Sequence, residues 1–272
     1  MRSLLALLFL AAVCAAQVST DQKREAAERA LADKVMADVE VQTPRIADRS
    51  VENYVGSVAR RLSPHCGPRT QVEVRVLVSG QLTAHAVLGS YLTVNTGLLA
   101  HMESEAELAG VVAHLLSYMR DHARPQKVDG ASIPLVVWHP YSYGADAASV
   151  VPQGYLKTLA AQIIQADSAA VQCLAAAGYD PEPFLDNLRK LAEAESHGSA
   201  ASPIAGHLPA SQRVENVDQA IRRLPPRTEY VLSGQAFADA RSRAEAATVQ
   251  AVAKPKREPP TLRRDVRPSR VI

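Results

Sequence analysis

The sequence predicts an α-rich α+β fold, a small sheet edging a helical bundle, on three observations. Most apolar residues recur at the 3.6-residue period of a buried helix face. One stretch, 72–79, instead alternates at the two-residue period of strands. Aromatic residues make up only 4% of a chain whose apolar share is 47%, the composition of a core built from Ala, Val and Leu. The 272 residues suffice for one large domain or two small ones.

Residues Met1–Ala16 carry one Arg, an apolar run from Leu4 and a small-residue end. This is the layout of an export signal, predicted to be cut between Ala16 and Gln17. The apolar run falls short of the about 20 residues a bilayer span needs. After Thr20-Asp21, Ala27, Leu31, Val35 and Val39 predict a first amphipathic helix. Val51, Tyr54, Val55, Val58 and Leu62 predict a second. Val72, Val74, Val76 and Val78 then alternate with Glu73, Arg75, Leu77 and Ser79, which predicts a strand. Ala84–Leu88 and Tyr91–Asn95, joined near Gly89-Ser90, predict a hairpin-like pair.

Ser104 and Glu107 form a capping box, followed by Leu108, Val111, Val112, Leu115, Leu116 and Met119. That helix is apolar around most of its circumference and is predicted to be central and buried. Residues 123–152, with Trp138, Tyr141 and Tyr143, read as a long irregular connection covering part of the molecule. A helix from Tyr155 to Ala177 stops at Gly178. Asp180 and Pro181 open another, and 211–223 is helical before Pro225-Pro226 closes the compact part. The organisation is thus a signal peptide at 1–16, a domain at 17–225, and a C-terminal extension at 226–272.

The extension ends in Lys254–Arg270, with seven Lys or Arg, two acids and four Pro. Such a segment has too little to bury and reads as a disordered basic tail, in weak contact at most with an anionic surface. A net charge of +2, with no basic run interleaved with aromatics, does not point to nucleic acid. Three Cys exclude a disulfide scaffold. Export would place Cys66 and Cys173 in an oxidising compartment, where they are free to pair or not.

The central helix carries His114, Tyr118 and His122 four residues apart, so successive members share a face. Zinc peptidases use this spacing with His at both of the first two places and Glu directly after the first. Here the order is His114-Leu115-Leu116-Ser117-Tyr118.

Thr83–His122 resembles the CAAX prenyl protease-type zinc metallopeptidases, a gluzincin family. The matching run is Thr83-Ala84-His85-Ala86-Val87-Leu88-Gly89-Ser90, then Tyr91–Asn95, then Gly97-Leu98-Leu99, then Glu107-Leu108-Ala109 leading to His114. Gln165-Ala166-Asp167 and Ala177-Gly178-Tyr179-Asp180-Pro181 look like the family's second signature and the helix break after it. The resemblance spans roughly 20–225 and implies a zincin-like domain. It places metal ligands at His114, Tyr118 and Ile163 and the catalytic Glu at Leu115, with Asp167, His207 and Arg213 in the surrounding shell.

Three of those four functional positions hold no fitting group, so neither metal nor catalytic residue is expected. The resemblance also makes Tyr91–Asn95 an edge strand that pairs with extended substrate, with Tyr91, Thr93, Asn95 and His85 lining the groove. The expectation is an exported pseudo-metallopeptidase, a module that binds peptide or partner protein without cofactor. The alternative is a zinc-dependent metalloendopeptidase with an unorthodox site, such as one improvised from His85, His114 and His122.

Overall fold

The computed structural model describes residues 23, 25–87, 89–122, 127–128, 131–132, 136–137, 153–197, 208–231 and 233–253. The signal-like segment, most of 123–152, His207 and the basic tail lie outside these, and so do the expectations placed on them.

Helix α1 spans 25–42 and α2 spans Arg49–Cys66. Asp48 caps α2 by accepting from the Ser50 amide at 3.0 Å, and Val51, Val55, Val58 and Leu62 of α2 are buried as their spacing predicts. Strands β1 (Glu73–Leu77), β2 (Ala84–Val87) and β3 (Tyr91–Asn95) follow. Helix α3 is Thr96–His101, and α4 is Glu105–His122. Short strands β4 (Lys127–Val128), β5 (Ala131–Ser132) and β6 (Val136–Val137) interrupt the connection read as irregular. Helices α5 (Gln153–Ala177), α6 (Glu182–Ser196), α7 (Ala210–Arg222) and α8 (Gln235–Ala253) complete the chain.

The molecule is predominantly helical with a small sheet of order β1-β3-β2-β6. β3 runs parallel to β1 and antiparallel to β2. Its alternation sends Leu92 and Val94 into the main core with Val74, Val76, Ala84 and Ala86, and turns Tyr91, Thr93 and Asn95 to the other face. All five β3 residues are buried. The predicted hairpin turn is tight: Gly89 takes φ 67°, a left-handed conformation that glycine adopts without strain, and the Ser90 amide donates to the Val87 carbonyl at 3.0 Å.

Helix ends follow the sequence signals. At α4 the Glu107 amide donates to Ser104 Oγ at 3.1 Å. The Glu107 carboxylate reaches the Glu103 amide at 2.9 Å, one residue before the usual partner of a capping box. At the end of α5, Gly178 adopts φ 88°, and the Gly178 and Tyr179 amides donate back to the Ala175 and Leu174 carbonyls. These two bonds form a Schellman motif. α4 is the central element, with nearly every residue from Ala106 to Met119 buried.

Two expectations are corrected. The compact part does not close at Pro225-Pro226: α8 returns to the body, burying Phe237, Ala240 and Ala244. Arg241 of α8 donates to the Ala100 carbonyl at 3.0 Å, and Arg243 pairs with Asp48 at 2.8 Å. In α1 the buried residues are Ala32 and Met36, whereas Leu31 is 44% exposed, so the helix is turned about one residue from its predicted face.

Candidate functional site

α4, α5 and α7 meet around three buried polar side chains. α4 supplies His114, α5 supplies Asp167 and α7 supplies Arg213. His114 Nδ1 lies 2.5 Å from Asp167 Oδ1. Arg213 donates to the same carboxylate from Nε at 2.8 Å and Nη2 at 2.7 Å. No more than 1% of any of these side chains is exposed.

Burial opposes ionisation of Asp167, but the adjacent Arg213 charge and the two sets of hydrogen bonds outweigh it and hold the carboxyl below its ordinary value. Burial also lowers the His114 pKa, more than Asp167 raises it. The consistent assignment is a neutral imidazole donating Nδ1–H to an ionised carboxylate that Arg213 neutralises.

Around this triad stand the positions that the resemblance assigns to metal chemistry. Leu115 is fully buried and belongs to the main core. Tyr118 is fully buried, and its hydroxyl donates to Gln162 Oε1 at 3.0 Å. Ile163 is fully buried as well. A catalytic zinc takes three protein ligands and keeps one position open. These positions offer one imidazole and a phenol already committed to an amide. Leu115 and Ile163 offer only carbon, so the residues do not fit a zinc ion. Among the described residues no group of three or more His, Cys, Asp or Glu is arranged to hold a metal.

The groove expectation is corrected. β3 is an internal strand, hydrogen-bonded to β1 on one side and β2 on the other, so its backbone is spent and cannot accept an added strand. Tyr91, Thr93 and Asn95 are 5%, 2% and 4% exposed. Asn95 Nδ2 donates to Thr83 Oγ1 at 2.5 Å, and His85 Nδ1 lies 3.4 Å from Thr93 Oγ1. Of the shell positions, Asp167 and Arg213 join His114, whereas His207 lies outside the described residues. The side chain of His122 does too.

Two parts of the site escape sequence reasoning. Gln162, which satisfies Tyr118, is legible only once α4 and α5 are known to pack together. The second is α1. Its Ala32 and Met36 form a separate apolar cluster with Val87, Tyr91, Tyr118 and Ala166. Beside it, Arg29 donates to Asp33 at 2.8 Å, to the Tyr91 hydroxyl at 2.9 Å and to Glu73. Cys66 and Cys173, whose pairing the sequence leaves open, form a disulfide joining α2 to α5.

No family model matches the chain. It is similar to a β-barrel assembly-enhancing protease of Yersinia pestis, 25% identical over 195 residues that cover 65% of this chain and 39% of that protein. A putative protein of the same description from Vibrio cholerae is 24% identical over 213 residues, covering 71% of this chain and 44% of that one. The Escherichia coli counterpart is 23% identical over 190 residues, covering 63% and 39%. These relatives are proteases by name, of the assembly-enhancing and not the prenyl-protease description. The chain spans about two fifths of their length. Among the described residues no helix is long and apolar enough to cross a membrane.

Proposed function

We propose that this chain is an exported, non-catalytic relative of the zinc metallopeptidases that binds proteins in the assembly of β-barrels. The observation that carries this reading is the filling of the positions the resemblance assigns to catalytic base and metal: Leu115, Tyr118 and Ile163 are all fully buried, and Leu115 and Ile163 have no donor atom. An ion-free site lined with Glu and His would leave buried charges unpaired at a cost of several kcal/mol, whereas packed hydrocarbon carries no such cost. Hydrolysis further needs a base to take a proton from water, and the resemblance puts Leu115 in that place.

The motif order from Thr83 to Arg213 supports a gluzincin-like domain. The Cys66–Cys173 disulfide supports export, because such bonds persist in oxidising compartments. The names of the relatives, β-barrel assembly-enhancing proteases, suggest the guest class, β-barrel proteins under assembly. Since β3 is internal, binding proceeds through side-chain surfaces and not through strand addition there. The zinc endopeptidase reading draws on the family resemblance and the relatives' names, and the residues at Leu115 and Ile163 oppose it.

The test is to incubate the purified chain with a denatured β-barrel protein under zinc. Stable capture of the intact guest supports the reading. Cleavage abolished by a chelator contradicts it.

A further inference from the structure

Helix α1 packs on an apolar strip to which α4 contributes Tyr118. Only Ala32 and Met36 of its residues are buried, with Val35 and Val39 half-covered. Leu31 is 44% exposed and Val41 86% exposed. The strip beneath it comprises Val87, Tyr91, Tyr118 and Ala166, drawn from β2, β3, α4 and α5. This cluster is separate from the main core, to which α1 contributes no residue.

What retains α1 is largely a polar latch at its rim. Two guanidiniums lie over the Tyr91 ring, Arg29 at 4.6 Å and Arg75 at 5.0 Å from its centroid. Its hydroxyl donates to Asp33 at 2.6 Å. Arg29 pairs with Asp33 and Glu73, and Arg75 pairs with Glu40 of α1 at 3.3 Å and with Glu73 at 2.8 Å. The Arg29, Asp33, Glu40 and Glu73 side chains are between 34% and 51% exposed, so solvent and salt screen these pairs.

We propose that α1 is a releasable plug on this strip, and that a partner's amphipathic helix with a small-apolar stripe competes for the same place. The occupant follows from what is already seated there: a helix presenting Ala, Val and Met in succession, flanked by an Arg–Asp pair that answers Tyr91 and Glu73. This is helix-in-groove recognition, with the chain's own N-terminal helix as the internal competitor. The proposal deepens the non-catalytic reading and rests on it for the partner being bound and not cut.

The test uses the full chain and a fluorescently labelled peptide of residues 25–42. In the double variant Arg29→Ala, Asp33→Ala the internal helix loses its latch, and the peptide binds about tenfold tighter than to the wild type. In the unmodified chain, amide exchange across 25–42 is faster than across α4 and rises between about 0.05 M and about 0.5 M salt, while α4 stays unchanged. Equal or absent peptide binding in both proteins overturns the proposal. So does exchange in 25–42 that is as slow as in α4 and indifferent to salt. The exchange measurement decides the matter if the variant does not fold. Neither readout involves zinc or cleavage, so the plug can fail while the non-catalytic reading stands.

Discussion

Arg213 grips both carboxylate oxygens of Asp167, at 2.8 Å through Nε and 2.7 Å through Nη2, with neither side chain more than 1% exposed. With His114 on the same carboxylate, three helices are tied beside the positions that the resemblance assigns to metal chemistry. The pair matters because each charge is tolerated only in the presence of the other.

Arg213→Leu leaves the Asp167 charge buried beside a neutral imidazole. Removing one partner of such a pair costs about 3–5 kcal/mol. Adding Asp167→Asn to that variant recovers part of the loss, because the uncompensated charge is gone. Urea unfolding of the two variants checks this. A loss under about 1 kcal/mol in the single variant would show that the pair is not the tie described.

Gly110→Ala should destabilise, against the usual helix preference. A Cβ there would lie 2.6 Å from Cβ and Cδ2 of Phe184 on α6, so α4 and α6 would have to separate. Alanine gains about 1 kcal/mol of helix propensity over glycine, and overpacking costs about 1–3 kcal/mol. Thermal unfolding reads the sign directly, and a raised midpoint contradicts the close packing.

The disulfide closes a loop of 107 residues. Replacing both Cys66 and Cys173 with Ala is expected to lower stability by about 2–5 kcal/mol, chiefly by freeing the unfolded chain. Chemical denaturation with and without reductant measures it. The wild type should respond to reductant and the double variant should not.

Stability should fall on mild acidification. Burial holds His85 at about 4 and pushes His114 below its ordinary 6.5, so the unfolded chain takes up these protons first as pH drops. The contribution is present in full above pH 6.5 and is lost as pH falls toward 4. Asp48, held at about 2 by Ser50 and Arg243, adds a separate loss below the ordinary carboxylate range. A His85→Asn variant should show a shallower decline between pH 6.5 and 4. Flat wild-type stability across that window contradicts the assignment.

The sequence made the helical plan legible where apolar spacing is strong, as in Val51–Leu62 and Leu108–Met119, and the strands where Val74 and Val76 alternate. It left α8 unread because that face is built from Ala240 and Ala244 with one Phe237, too weakly apolar to stand out. The position of Tyr91–Asn95 was misread for a different reason. Strand order is a long-range property, and the parallel pairing of Glu73 with Tyr91 leaves no local trace. At the candidate site, spacing puts His114 and Tyr118 on one helix face, and the resemblance assigns Leu115 and Ile163 to the site. Gln162 and the α1 latch could not, since both depend on how elements distant in sequence pack.

Zinc content of the purified chain, measured together with its cleavage of an unfolded protein, is the most direct measurement. The expected result is a trace of metal far below stoichiometric and no chelator-sensitive cleavage, because Ile163 brings hydrocarbon where a metal donor is needed and Leu115 where a base is needed. About one tightly held zinc per chain, with cleavage that a chelator abolishes, would contradict it.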